Sequence, residues 1–222
     1  MIINEINCTE AFRYLGIKGA PDNATLQLAN ECEKILLAEM APKFCWSYAE
    51  IFKHSDTSVK LSGYTLSLDG NDISAHLDGC IGVVLMCATL GNNVDKLLRQ
   101  MQTQDMAKAV ILDAMASAAI EQACDEAEKK IAEKMENKHF TWRFSPGYGD
   151  FPIEVQKDFL TALNAQKVIG LCASQSGMLT PTKSVTAVIG VHEKSVQQQK
   201  HSCESCNMRD RCNYRKTGGT CQ

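Results

Sequence analysis

The sequence predicts an α+β fold: a twisted, largely antiparallel sheet packed with helices, plus a short Cys-rich C-terminal appendage. Three observations predict it. Segments 45–54 (CWSYAEIFKH) and 59–68 (VKLSGYTLSL) are rich in aromatic and branched residues, and their connection is too short for a crossover helix, so they pair antiparallel. Further strand-like and helical stretches follow without a regular βαβ repeat. Around Val191 the apolar content collapses, and a polar stretch, HEKSVQQQKHS, leads into closely spaced cysteines. The expected division is a folded domain over 1–192, then a linker and Cys-rich tail over 193–222.

Each element has its own signal. Residues 25–40 (TLQLANECEKILLAEM) place Leu28, Cys32, Ile35 and Leu36 at helical spacing, with Asp22 or Asn23 as N-cap after Pro21. After the two strands, LDGNDI reads as a turn. GCIGVVLMCATLG is a short apolar run bracketed by glycines, which favours a buried strand. From Asn93 to about Lys138 the pattern is helical in two pieces, the second, from Met106, rich in alanine. Small residues let that helix lie close to a sheet or ligand. Glu121 sits in this stretch, where a carboxylate needs a partner or solvent. IEVQKDFLTALNA reads as an amphipathic helix with Val155, Phe159 and Leu163 on one side. VIGLCAS and SVTAVIGV read as two more strands.

At 222 residues the chain can bury one good core, or one core and a small appendage. The formal net charge of -3 gives no reason to expect nucleic acid or an anionic membrane as partner. No apolar run is long enough to span a bilayer, and MIINEINCTE has neither a basic start nor a signal-peptide stretch. The expected location is cytoplasmic. Of 11 cysteines, Cys8, Cys32, Cys45, Cys80, Cys87, Cys124 and Cys172 are dispersed, mostly among apolar neighbours, and read as small buried hydrophobes. His76 and His192 stand alone near strands and read as structural. No Ser-His-Asp or HExxH pattern supports a hydrolase.

Cys203, Cys206, Cys212 and Cys221 fall within nineteen residues, in the tail CESCNMRDRCNYRKTGGTC. A tight CxxC pair offers two thiolates from one turn, and Gly218-Gly219 lets the chain fold back to bring in a fourth. The set suits tetrahedral Zn²⁺ or an iron–sulfur cluster, and its spacing does not choose between them. With almost no apolar residues, the tail needs a metal to order itself. Residues 193–222 carry six Lys/Arg against three acids, a local excess that suits an anionic thiolate cluster or an acidic partner.

The segment RFSPGYGDFP (143–152) places Arg143 before Pro146-Gly147, a pair suited to the centre of a type II turn. A guanidinium held on a rigid turn loses little entropy on gripping a carboxylate. Gly147 permits close approach of a ligand to backbone, and Tyr148 offers an aromatic face.

This segment, the helix after it and VIGLCASQSGMLTPTKSVTAVIGVH together resemble the C-terminal activation domain of cobalamin-dependent methionine synthase. Arg143, Pro146, Gly147 and Tyr148 match its R-x-x-P-G-Y hallmark; Ser176, Met178, Pro181, Ser184 and Val185 match its S…M…P-x-x-S-V strand entry. The preceding helix, with Asp113 and AMASAAIE, is also similar. The likeness covers roughly residues 80–192, and the N-terminal part more loosely. It implies S-adenosylmethionine binding and docking on a cobalamin module, where cob(II)alamin is reduced by one electron and remethylated. By resemblance, Arg143 grips the methionyl carboxylate, Glu121 takes the ammonium, and Tyr148, Pro146, Gly147 and Ser176 shape the pocket. The chain departs from the family at Val188, Ile189 and Gly190, where an aromatic run is expected, at Ser174-Gln175-Ser176, and near Gln197, where the family has a tyrosine. These departures imply an altered contact surface.

With the Arg143–Tyr148 motif and no cobalamin-binding or homocysteine module in this sequence, the expectation is a stand-alone reactivation protein. Its partner would be a cobalamin-dependent methionine synthase lacking its own activation domain, or another corrinoid protein. Two alternatives are an iron–sulfur module delivering the activating electron and a non-catalytic docking module with a structural zinc tail.

Overall fold

The structure is a computed structural model that describes residues 1–193. Nearly all of the expected linker, and the proposed metal ligands Cys203, Cys206, Cys212 and Cys221, lie outside the described residues.

In chain order the elements begin with helices α1 (Cys8–Tyr14) and α2 (Asn23–Glu39). Strands β1 (Lys43–Ser55), β2 (Ser58–Leu61) and β3 (Ser67–Asp69) come next, then α3 (Asn71–His76), β4 (Gly82–Thr89), α4 (Asn92–Gln104) and α5 (Met106–Lys134). The remainder comprises β5 (His139–Phe140), a 3-10 turn (Ile153–Val155), α6 (Gln156–Ala162), α7 (Ala165–Ile169), β6 (Cys172–Ala173), β7 (Leu179–Thr180) and β8 (Ser184–His192). Six strands form one sheet in the order β3-β2-β1-β4-β8-β5, every pair antiparallel; β6 and β7 form a separate hairpin. The α+β architecture expected from the sequence is the one observed.

Strand β4 is central, and all eight of its residues are buried. Alternation sends Val84, Met86 and Ala88 to one face, where they pack with α1, α2, α4, α5 and the β8 residues Ala187, Ile189 and Val191. Val83, Leu85 and Cys87 face the other way, toward α3, α6, α7, Phe144, Phe151 and Val188. A strand covered on both faces reads as an unbroken apolar run, which is why GVVLMCAT shows no alternation.

The helix over 23–39 begins as expected: the Asp22 carboxylate accepts from the Thr25 N–H at 2.7 Å. Other local readings need correction. The expected strand over 59–68 is two short strands, because Ser62 and Gly63 turn the chain between them. The expected turn at LDGNDI is the end of β3, Gly70 and the start of α3, whose first N–H groups are capped from far along the chain by Asp150. VIGLCAS is the end of α7, a left-handed Gly170 and the two residues of β6. Helix α1 escaped the sequence reading, being only seven residues long with a single buried side chain, Ala11. Of the dispersed cysteines, Cys32, Cys87 and Cys124 are buried as expected, whereas Cys8, Cys45, Cys80 and Cys172 are only half-buried. No helix among the described residues is long and apolar enough to cross a membrane.

The entry to β8 hangs on one buried carboxylate. Asp95, 5% exposed in the first turn of α4, accepts from the Thr182 backbone N–H at 2.9 Å and its hydroxyl at 2.6 Å. Thr182 itself is exposed, so water can take over part of these bonds when the acceptor is removed. Asp95→Ala is therefore expected to lose about 1 kcal/mol in urea unfolding, with Asp95→Asn losing less.

Candidate functional site

Arg143 is held by backbone on both sides. The Thr141 N–H donates to Gly190 C=O at 2.9 Å, and Phe144 and Val188 exchange N–H···O bonds of 2.9 and 2.8 Å, pinning residues 141–144 along β8. Phe144 is buried against the α6–α7 face of the sheet. Its neighbour Arg143 therefore projects to the opposite side, toward α5. The following turn has the expected type II form: the Tyr148 N–H reaches Ser145 C=O at 3.1 Å, and Gly147 has φ +90°. Beyond it, the Asp150 carboxylate accepts from Asn71 and Asp72 N–H groups at 2.7 and 3.0 Å, while the Asp150 N–H donates to the Asp72 carboxylate at 3.2 Å. RFSPGYGDFP is thus tied to β8 at its start and to α3 at its end.

The guanidinium meets three carboxylates of α5. Its Nη2 donates to Glu121 Oε2 at 3.0 Å and its Nη1 to Asp125 Oδ1 at 2.8 Å; Nη1 also bonds Glu128 Oε1. The spacing i, i+4, i+7 puts all three acids on one helix face. The Arg143 side chain is 21% exposed. Burial works against its charge, but Glu128 foremost, with Asp125 and Glu121, outweighs that and holds its pKa above the usual value. Glu128 is the most enclosed of the acids, and burial pushes its carboxyl above the ordinary range despite Arg143 beside it. Arg143 and Glu121, expected on opposite sides of a zwitterion, are in direct contact.

Glu121 also lines a cleft of about 650 Å³ between α5 and the start of β8. The cleft has an apolar part, with Met106, Val110 and Ile120, and a polar part, with Asp113, Ser117 and Lys183. Lys183 Nζ lies 2.8 Å from Asp113 Oδ1 and 2.9 Å from Ser117 Oγ. Its volume falls within the range of about 300–1,000 Å³ common for small-molecule sites.

The other expected residues lie on the far side of the turn. Pro146 is buried. Tyr148 is half-buried, its ring edge-on to Phe144 with centroids 5.3 Å apart. Ser176 is exposed in the β6–β7 turn, its hydroxyl 2.9 Å from that of Ser174. Ile153 brings the two turns together: a Cβ on Gly147 would stand 3.1 Å from its Cδ1, and one on Gly177 would stand 2.8 Å from its Cγ1. The sequence reading missed Asp125, Glu128 and Lys183. The signal for the first two was present, since their spacing from Glu121 marks one face of a helix. Among the described residues, no group of three or more His, Cys, Asp or Glu side chains is placed to hold a metal ion.

No protein-family model matches the chain, and neither does any curated protein. Among solved structures, the chain is similar to the MetH reactivation domain bound to AdoHcy, with a TM-score of 0.61. The match spans 86% of this chain and 75% of that one, at 15% sequence identity. What the likeness shows is the fold.

Glu128 makes the cluster sensitive to pH. A carboxyl whose folded pKa is raised contributes stability below its unfolded pKa and loses that contribution as pH rises through the folded value. Glu128→Gln keeps an oxygen for Arg143 but does not titrate. The stability of Glu128→Gln relative to wild type should therefore fall as pH is lowered from about 7 to about 4.5, read by urea unfolding at each pH. A gap independent of pH would mean that Glu128 is not desolvated.

Proposed function

We propose that the domain binds S-adenosylmethionine and supports reductive reactivation, with remethylation of cob(II)alamin, of a separate cobalamin-dependent methionine synthase or related corrinoid protein. The observation that carries this reading is Arg143, fixed on a rigid turn beside the carboxylates of α5, in a fold like that of a reactivation domain bound to AdoHcy. The charges fit the ligand. A methionyl group with its sulfonium carries two positive centres and one carboxylate, and the site offers one guanidinium and three carboxylates.

In this reading Arg143 exchanges one α5 carboxylate for that of the ligand. Glu121, released from Arg143 on the side lining the cleft, takes the ammonium. Pro146 and Gly147 keep the turn rigid, while Tyr148, packed on Phe144, and Ser176 support it from its far side. S-adenosylmethionine supplies the methyl group, and the corrinoid belongs to the partner. A protein without membrane or nucleic-acid contacts, working in the cytoplasm, suits this role.

Calorimetry of the full chain with S-adenosylmethionine tests the reading. Arg143→Ala should weaken binding by about tenfold to a hundredfold, the worth of its charge-assisted hydrogen bonds. No binding by wild type, even with a corrinoid partner present, would overturn the cofactor role. One observation favours a second reading: Arg143 is already paired with three acids, as in a closed pocket that serves only for docking. Full partner activation by Arg143→Ala would select it.

For residues 193–222 the proposal is a metal-binding tail using Cys203, Cys206, Cys212 and Cys221. Anaerobically prepared protein should carry a metal that is lost from the Cys203→Ser/Cys206→Ser double variant. Iron with visible absorption would support electron delivery by the tail; colourless zinc would support a structural knot.

A further inference from the structure

Two cysteines far apart in sequence meet across the sheet. Cys45 of β1 and Cys87 of β4 are register partners in an antiparallel pair, with Sγ atoms 3.2 Å apart. Directly opposed residues in such a pair have Cα separations of about 4.5–5.5 Å, inside the span of about 4.4–6.8 Å that a disulfide bridges. Closing the bond therefore calls for little backbone movement.

The two thiols are not equivalent. Cys87 is fully buried; Cys45 is half-buried. The hydrogen bond between them favours the Cys45 thiolate, although burial opposes it, and disfavours ionisation of Cys87. Elsewhere burial alone dominates, pushing Cys32 up to about 11 and Cys80 and Cys124 up to about 12. Among the described residues, Cys45 thus combines partial access, a favoured thiolate and an adjacent second thiol.

The geometry points to Cys45–Cys87 as a reversible thiol–disulfide site that takes small-molecule disulfides. Cys45 acts as the attacking thiol and Cys87 as the resolving one. The Cys45 thiolate attacks one sulfur of the external disulfide, forming a mixed disulfide and expelling the first small thiolate. That thiolate, or solvent, takes the Cys87 proton. Cys87 Sγ then attacks Cys45 Sγ, and the second small thiolate leaves and is protonated. In sum, two protein thiols and one external disulfide become one protein disulfide and two small thiols, with no other oxidant. The product ties β1 to β4. The site stands independently of any S-adenosylmethionine binding.

The test is incubation of the full reduced chain with oxidised glutathione, alkylation of remaining thiols, and peptide mapping. Cys45 and Cys87 should be recovered linked, with fragmentation separating Cys87 from Cys80 on the same tryptic peptide. Dithiothreitol should restore both thiols. Cys87→Ser should instead hold glutathione on Cys45, as should Cys87→Ala, a second replacement should the first misfold. Recovery of both cysteines alkylated would overturn the proposal, as would glutathione that stays on Cys45 in the wild type.

Discussion

Strand β4 can only exist between two layers. With every residue from Gly82 to Thr89 buried, its alternate side chains demand apolar cover on both faces. Two groups of helices meet that demand, the long α5 with α1, α2 and α4 on one side, α3, α6 and α7 on the other. The same requirement extends to β8, whose Val188 and Ile189 point into opposite cores. Residues 141–144 then pair along β8, and alternation dictates their roles. Phe144 enters the α6–α7 core, so Arg143 must face α5. The position of the guanidinium is therefore a consequence of sheet packing, as much as of the turn that follows it.

A mostly buried cation costs desolvation energy that neighbouring charges must offset. Here three carboxylates do so, and the surplus negative charge is tolerable because Glu121 and Asp125 remain 46% and 59% exposed. Such a cluster is suited to exchange. In the proposed function an arriving carboxylate would replace one acid at Arg143 without leaving the guanidinium unpaired, and the displaced acid would meet the ligand's cation. A site with Arg143 held by one carboxylate alone would have no such reserve. The three ion pairs thus hold the guanidinium in place against α5.

The large outlines were legible in the sequence because they rest on long, locally consistent signals. The apolar run over 82–89, the alanine-rich helix from Met106, and Asp22 as a cap each declare themselves within a few residues. Pro146-Gly147 declared its turn type for the same reason. What was illegible depends on distance. The cap of α3 comes from Asp150, about eighty residues away, so LDGNDI shows only its glycine and polar residues. Cys45 and Cys87 look like isolated hydrophobes until β1 and β4 are put in register. The spacing of Asp125 and Glu128 from Glu121 marks one helix face, but nothing local announces the arginine that meets it.

Burial also decides what the departures from the methionine synthase activation pattern can mean. Val188 and Ile189 lie inside the sheet, and a Cβ at Gly190 would stand 2.5 Å from Cys80 Sγ and 3.0 Å from Thr141 Cγ2. These residues fill the core and allow the pairing with 141–144; in the isolated domain they present no surface to a ligand. Ser174-Gln175-Ser176 is different, being exposed on a turn that Ile153 couples to Gly147. A change there alters the border of the Arg143 turn without disturbing either core. Of the departures among the described residues, that turn is the one free to change what the site meets, and the β8 positions act through packing.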